Sequence, residues 1–333
     1  MSTMKIRFFS LVLAFLCGLT LAVFMSRPGA EAESQPPPKG LTFYTTGGAT
    51  TPQMPFWKAV ADSAIPELDN LDVHYWKNLD DLRGVVLAGR GDLWLGHIEG
   101  FAQAAMRGAP VRLLAVTGWR KFSILTNAPN IQTLEDLLQC PAGTELAVAP
   151  PQSPAIPIMR TMESFGLPRF VYVPHEPRQL MLESLQKPSI LILTPEPMTT
   201  VLLGKIPGLH VVAQVEDLFG RFTGRVPLLP IAGIAINEQL ARQRPELIHA
   251  LQQALVNAGQ ELAEAPTKGL ESLPEDFEQF MTRDIVRDSL KRDIILVRPA
   301  RECREIITQY LSMVLPDDNQ SAIHNLPDSF FGQ

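Results

Sequence analysis

The sequence predicts an α/β protein in which two sets of strands and helices form two lobes. Short runs rich in β-branched and aromatic residues alternate with amphipathic stretches, which is typical of mostly parallel sheets flanked by helices. The alternation starts again near residue 131, and this restart indicates two lobes rather than one large sheet. About 300 residues follow the apolar N-terminal segment, enough for two hydrophobic cores.

The first set of elements begins with LTFYT at 41–45, a strand that ends at a turn containing two glycines. Ile98, Phe101 and Ala105 recur at helical spacing, and Gly108 is a fitting end for their helix. We expect strands at 41–45, 71–76, 92–95 and 111–117, and helices at 55–64, 79–87 and 97–106.

The second set repeats this order, and its buried strand SILIL at 189–193 is the most apolar of the set. We expect helices at 131–138, 154–165, 177–185 and 198–203, and strands at 145–149, 170–173, 189–193 and 210–214.

The last third of the chain begins with a long apolar strand at 228–237. Asn237 is a good N-cap for the helix that follows, and Pro245 opens another helix at its favoured first position. The segment 277–315 is expected to be helical, with a break at 297–299. The helix after Pro245 carries an apolar stripe formed by Leu247, Leu251, Leu255, Ala258 and Leu262.

The N-terminal residues have the pattern of a secretory leader. Two basic residues precede a charge-free apolar run at 8–24, and Ala30–Ala32 fits a signal-peptidase site. We therefore expect a signal peptide at 1–32 and a proline-rich spacer at 33–40, with the body in the periplasm. The alternative is an uncleaved anchor, since the run approaches the length of a minimal membrane span.

Composition argues against several classes of function. Without residues 1–32 the chain has 26 Lys and Arg residues against 34 Asp and Glu residues, a net charge of −8, and no basic stripe for nucleic acid. Cys140 and Cys303 would remain, either paired or free. The chain contains no Ser elbow, no H-E-x-x-H, no glycine-rich phosphate loop and no Cys/His cluster, so neither an enzyme nor a cofactor or metal is expected.

Five segments in a fixed order carry a family resemblance. They are FYTTGG at 43–48, GDLWLG at 91–96, TLEDL at 133–137, PEPM at 195–198, and IAINE at 234–238 followed by RPE at 244–246. With these segments the chain resembles the type II periplasmic binding proteins of the sulfonate, taurine and nitrate group, which includes the thiamine-pyrimidine-precursor binders. The resemblance covers residues 41–262.

The resemblance implies two α/β lobes joined by two crossing segments, with a ligand cleft between them. It would place lobe one at 41–122 and 228–333 and lobe two at 123–227. It also implies a monomer that captures a small molecule and delivers it to the permease and ATPase of an ABC importer. The rival hypothesis is a membrane-tethered sensor or adaptor with the same fold, which an uncleaved leader would favour.

Ligands of open α/β sheets bind beyond the carboxyl ends of the strands, and this rule selects candidate residues. Trp119 and Trp57 could stack on a ring, although Trp57 could instead pack the first helix onto the sheet. Glu99 and Glu196 could accept hydrogen bonds from a ligand or cap helices. The ligand-binding candidates are Thr45, Thr46, Gly47, Gly48, Trp57, Gly96, His97, Glu99, Thr117, Trp119, Gln152, Ser153, His175 and Glu196.

One segment departs from the family pattern. Relatives often have a Gly-Ser/Thr loop before the first large helix of lobe two, whereas this chain has PPQSPA at 150–155. Because proline has no backbone N–H, anion capture by backbone donors is less favoured here. A small organic molecule with a ring or donor groups is therefore expected, and an organosulfonate or small anion is the alternative.

Overall fold

A computed structural model describes residues 40–187, 189–279 and 282–332. The predicted leader and all of the predicted spacer except Gly40 lie outside these residues. In the described part of the chain, no helix is long and apolar enough to cross a membrane. Cys140 and Cys303 are both free thiols.

The first part of the chain follows the predicted alternation of strands and helices. In the first strand, Phe43 and Thr45 are buried while their neighbours are half-buried, as expected for a strand with one face on a core. Asn78 begins the second helix by accepting a hydrogen bond from Asp81 N at 2.9 Å. The elements are β1 Thr42–Thr46, α1 Met54–Ala61, β2 Asp72–Trp76, α2 Leu79–Leu87, β3 Leu93–His97, α3 Ile98–Met106 and β4 Val111–Gly118.

The middle of the chain contains two elements that were not predicted, β5 and α8. All five residues of β5 are buried, including the polar Ser123 and Thr126, so its sequence lacks the sustained polar–apolar alternation that marks a half-buried strand. The elements are β5 Phe122–Thr126, α4 Leu134–Leu138, β6 Thr144–Val148, α5 Ala155–Glu163, β7 Phe170–Pro174, α6 Pro177–Gln186, β8 Leu191–Pro195, α7 Met198–Lys205, β9 His210–Gln214 and α8 Val215–Thr223.

The last part of the chain confirms both predicted helix starts. Asn237 accepts a hydrogen bond from Gln239 N at 2.9 Å, and Pro245 stands at the first position of the long helix. The predicted apolar stripe of that helix is buried. The elements are β10 Ala232–Asn237, α9 Glu238–Gln243, α10 Pro245–Glu264, α11 Lys268–Glu271, α12 Arg283–Ser289, β11 Arg298–Pro299, α13 Arg304–Val314 and α14 Gln320–His324.

The structure corrects the bounds of two predictions for this part. The strand predicted from Leu228 begins only at Ala232, because residues 228–231 cross between the sheets. The break predicted at 297–299 in the C-terminal helical segment is confirmed, but the non-helical stretch between α12 and α13 is longer and includes residues 293–299. Trp119 donates its indole N–H to Leu296 O at 2.9 Å, and β11 pairs with β4, so long-range contacts hold this stretch out of a helix.

Two mixed sheets form the cores of the lobes. In the described residues the first sheet has the order β11-β4-β10-β3-β1-β2, and the second has the order β7-β6-β8-β5-β9. In the first, β10 lies antiparallel between β3 and β4. In the second, β5 lies antiparallel between β8 and β9. The other strands of each sheet, except the two-residue β11, share one direction, so their carboxyl ends lie at a common edge.

The chain crosses between the sheets at residues 118–121 and again at residues 228–231. The two crossing segments are hydrogen-bonded to each other, from Leu229 N to Trp119 O at 3.1 Å and from Ile231 N to Gly118 O at 2.9 Å. We call the sheet of β1–β4, β10 and β11 with its helices lobe one, and the sheet of β5–β9 with its helices lobe two.

Candidate functional site

A cavity of about 180 Å³ lies between the lobes, next to the crossing segments. Lobe one contributes the carboxyl ends of three neighbouring strands, through Thr46, Trp76 and His97. Lobe two contributes the loops after β6 and β8, through Ser153 and Glu196. This is the position that the strand-end rule selects for a ligand.

The wall of the cavity is mainly apolar. Trp76 and Phe122 supply aromatic surface, and the indole N–H of Trp76 is bound to Leu95 O at 3.1 Å. Four prolines also line it, and prolines offer no backbone N–H to a ligand. They are Pro52, Pro150, Pro154 and Pro195.

The loop after β1 is held in shape by its own polar groups. Thr45 is buried and donates its hydroxyl to Gln53 Oε1 at 3.0 Å, while Gln53 Nε2 donates to Gly48 O at 2.6 Å. Gly48 N donates to Thr46 Oγ1 at 3.2 Å. Thr46 lines the cavity, whereas Thr45 and the two glycines, Gly47 and Gly48, shape the loop behind it.

His97 stands at the cavity wall and is oriented by a chain of hydrogen bonds. Its Nδ1 lies 3.0 Å from Glu99 Oε1, and Tyr310 donates its hydroxyl to Glu99 Oε2 at 2.8 Å. Burial lowers the pKa of His97, but the charge and hydrogen bond of Glu99 outweigh burial and raise it above 6.5. Burial would raise the pKa of Glu99, but His97 lowers it, so the two groups favour an ion pair.

Lys121 enters the cavity wall from the first crossing segment. Its Nζ donates to Thr51 Oγ1 at 3.0 Å and forms a buried ion pair with Asp293, and Thr51 also donates its hydroxyl to Asp293. This network ties the crossing segment to lobe one and to the stretch that follows α12.

Glu196 caps a helix and pairs with a cation from the C-terminal part of the chain. Its Oε2 accepts hydrogen bonds from Thr200 N at 3.2 Å and Thr200 Oγ1 at 2.7 Å, near the start of α7. Its Oε1 lies 2.5 Å from Arg292 Nε. Glu196 and Glu99 were considered as acceptors for a ligand, but both carboxylates already have cationic partners in the protein.

The N-terminus of α5 points no free backbone donor at the cavity. Ala155 N donates to Ser153 Oγ at 3.3 Å and Ile156 N donates to Ser153 O at 3.2 Å. Pro154 and Pro157 have no N–H. The dipole of the helix remains, but its first-turn donors are already bonded or missing, which weakens the usual means of holding an anion there.

Several predicted site residues lie away from the cavity. Trp57 packs among aromatic rings of lobe one, as its alternative interpretation expected, and Trp119 is fully buried with its indole N–H bonded to Leu296 O. His175 is paired with Glu183 of α6 at 2.6 Å. Thr117 is buried within β4, and Gln152 is exposed outside the wall. Five of the candidates do line the cavity: Thr46, Gly96, His97, Ser153 and Glu196.

Three important wall residues were missed from sequence. Trp76 is the last residue of β2, and the strand-end rule could have selected it, but its place within a predicted strand favoured a core position. Lys121 and Phe122 belong to the crossing segment and to the unpredicted strand β5. Only the pairing of β5 with β8 and β9 brings them to the cleft.

Glu216 is a buried carboxyl group in the first turn of α8, and it is hydrogen-bonded to the end of the first crossing segment. Its Oε1 accepts the backbone N–H groups of Lys121 at 2.8 Å and Phe122 at 3.3 Å. Its Oε2 has no hydrogen-bond partner among the described residues. Burial raises the pKa of Glu216 from 4.5 to about 7, so the folded protein favours its protonated form below about pH 7.

We expect Glu216→Gln to flatten the pH dependence of stability. In the native protein, Glu216 contributes stability that is fully present below pH 4.5 and is lost as the pH rises to about 7, a loss of about 3 kcal/mol. Glutamine keeps the acceptor oxygen and cannot ionise. Urea unfolding from about pH 4.5 to 8 measures this, with exposed Glu264→Gln as the control. An unchanged slope in Glu216→Gln would show that Glu216 does not titrate in this range.

The comparisons with known proteins bear on the fold. No family model matches the chain, and no curated protein matches its sequence. Among solved structures, an ABC transporter protein from Parabacteroides distasonis is similar at 15% identity and a TM-score of 0.67, covering 88% of this chain and 98% of that one.

Two further structures are similar over most of their length. The periplasmic aliphatic sulphonate binding protein from Escherichia coli has 14% identity and a TM-score of 0.62, covering 83% of this chain and 86% of that one. The periplasmic nitrate-binding protein from Synechocystis PCC 6803 has 13% identity and a TM-score of 0.59, and the match covers 88% of this chain and 87% of that one. The chain therefore has the two-lobed α/β fold of the periplasmic binding proteins of ABC importers.

Proposed function

We propose that this chain is an exported solute-binding protein that captures a small organic molecule and delivers it to an ABC importer. The observation that carries the proposal is the cavity between the lobes, whose wall is built by strand ends and loops from both of them. A ligand that touches both lobes stabilises the conformation in which they are closed around it.

The wall of the cavity supports a compact and largely apolar ligand. Trp76 and Phe122 provide flat apolar surface, and the prolines add rigid apolar surface without backbone donors. Polar contacts are limited to a few side chains, which include Thr46, His97 and Ser153. A small inorganic anion would leave most of this wall without a partner.

Closure would take place about the paired crossing segments. Because residues 118–121 and 228–231 are hydrogen-bonded side by side, they can bend together while each lobe keeps its own sheet. The closed form would then dock on the permease, and ATP hydrolysis by the partner ATPase would drive release. This role involves no catalysis by the chain itself and no resident cofactor.

A thermal-shift screen of the full-length chain tests the proposal, because a ligand of the native state raises the melting temperature. The screen would cover amines, amino acids, pyrimidines, aromatic and aliphatic acids, their amides, and sulfonates. We expect Trp76→Ala to weaken the best compound about tenfold or more, since the change removes the largest apolar wall. Phe165→Ala, at an exposed aromatic residue of lobe two, is the control. If no compound stabilised the protein, the proposed function would be wrong.

A further inference from the structure

Two cationic side chains border the same cavity, and the anionic partners of both lie behind its wall. His97 and Lys121 line the cavity, whereas Glu99 and Asp293 are not part of the lining. The third charged residue in the wall, Glu196, is occupied by Arg292 and Thr200. The charged side chains of the cleft that can still bind a ligand, His97 and Lys121, therefore both favour a negative group.

His97 has one ring nitrogen left for a ligand. Its Nδ1 is bound to Glu99, which lies on the side of a neighbouring small pocket, away from the cleft. Its Nε2, separated from Nδ1 by one ring carbon, has no hydrogen-bond partner among the described residues. Protonated histidine carries a hydrogen on both nitrogens, so Nε2 can donate.

Lys121 also has a donor to spare. Its ammonium group carries three hydrogens, of which two are directed at Thr51 Oγ1 and Asp293 Oδ2. The charge of Lys121 lowers the pKa of His97, so the two cations act on each other electrostatically. A negative group between them would relieve this repulsion.

The other charged groups around His97 are already paired. Glu99 faces it from α3 and is held by Tyr310 from α13. Arg83, from α2, lines the small pocket beside His97 and Glu99 and is bonded to Asp80 at 2.7 Å. None of these groups is hydrogen-bonded to His97 Nε2 among the described residues, and His97 and Lys121 both line the cavity.

We propose that the ligand carries a single carboxylate, which His97 Nε2 and the third hydrogen of Lys121 Nζ bind as a pair of donors, while its apolar body lies against Trp76 and Phe122. Two charge-assisted donors match the two oxygens of a carboxylate. A sulfonate has three oxygens, and the first turn of α5 supplies no free N–H for the third. This inference rests on the proposed function and specifies the ligand class of the same cleft.

Benzoate, benzamide and benzenesulfonate form a matched series for the test, with hexanoate and hexanamide as aliphatic counterparts. Binding to the full-length chain is measured by calorimetry and thermal shift between about pH 5.5 and 8.5. We expect each acid to bind at least about tenfold more tightly than its amide at the lower pH, the worth of one charge-assisted pair. Affinity for the acids should fall as the pH rises through the raised pKa of His97.

Two variants separate His97 from a purely structural role. His97→Gln should remove the pH dependence and most of the preference for acid over amide. Glu99→Gln should keep the hydrogen-bond acceptor but lose the charge that favours imidazolium, so the midpoint of acid binding should move to lower pH. The exposed His249→Gln is the control, and circular dichroism checks that each variant is folded.

Distinct outcomes overturn the inference and the proposed function. If an amide bound as tightly as its acid, if benzenesulfonate bound more tightly than benzoate, or if Glu99→Gln left the midpoint unchanged, the carboxylate subsite would be wrong while the solute-binding role remained. The subsite would also be wrong if the screen found only neutral ligands and none of the acids bound. If no compound of the whole screen bound, the proposed function itself would fail.

Discussion

Replacing Trp119 with alanine is expected to destabilise the protein by about 3–5 kcal/mol, the cost of removing a fully buried aromatic side chain. The indole has 0% exposure, lies under the Arg298 guanidinium at 5.7 Å, and donates to Leu296 O at 2.9 Å. Its loss would leave a cavity beside the first crossing segment and free the extended stretch before β11. Urea unfolding monitored by circular dichroism measures the change.

Trp119→Phe is the milder variant, because it keeps one aromatic ring and removes the fused pyrrole ring with its N–H donor. It should cost less than Trp119→Ala, about 1–3 kcal/mol, since the carbonyl of Leu296 loses its partner but most of the core stays filled. If Trp119→Ala stayed within about 1 kcal/mol of the native protein and weakened only ligand binding, Trp119 would be a ligand contact and its buried placement would be wrong.

The second large effect is expected at the ion pair that joins Arg292 to lobe two. Arg292 follows α12, whose Val286 is packed in the core of lobe one, and it reaches Glu196 Oε1 of lobe two at 2.5 Å. The Glu196 side chain is only 2% exposed and that of Arg292 is 19% exposed. Arg292→Ala leaves a buried carboxylate without its cation, and we expect a loss of about 3–5 kcal/mol.

An exposed ion pair provides the control for this prediction. Arg242 pairs with Glu238 one helical turn away, and its side chain is 70% exposed. Arg242→Ala should therefore cost less than about 1 kcal/mol. The double variant Arg292→Met with Glu196→Gln should recover part of the loss, because neither buried charge remains. If Arg292→Ala and Arg242→Ala cost the same, the pair does not join the lobes in solution.

Most of the fold could be predicted because its signals are local. The apolar stripe of α10 and the helix starts at Asn237 and Pro245 depend on residues within a few positions of each other. The break at 297–299 was predicted, but the strand β5 and the earlier start of the non-helical stretch, at 293–296, could not be predicted in the same way. The strand is buried throughout, and the stretch is held by a tryptophan 177 residues away.

The sequence predicted which strand ends lie near the candidate site, but not which of their side chains face it. The strand-end rule brings Thr46, Gly96 and His97 of lobe one to the cavity, because the carboxyl ends of β1 and β3 lie side by side. It does not tell which way a side chain turns. Trp119 turns into the core, and the partner that orients Glu99 is Tyr310, 211 residues further along the chain.

Capture of a ligand between the lobes can be tested directly by a crystal structure. The crystals would contain the full-length chain with the compound that stabilises it most. We expect this compound to lie between the lobes, against Trp76 and Phe122, with its acidic group at His97 and Lys121. A compound bound instead in the cavity of 420 Å³ beside α8 and α13, or on one lobe alone, would contradict capture in the cleft.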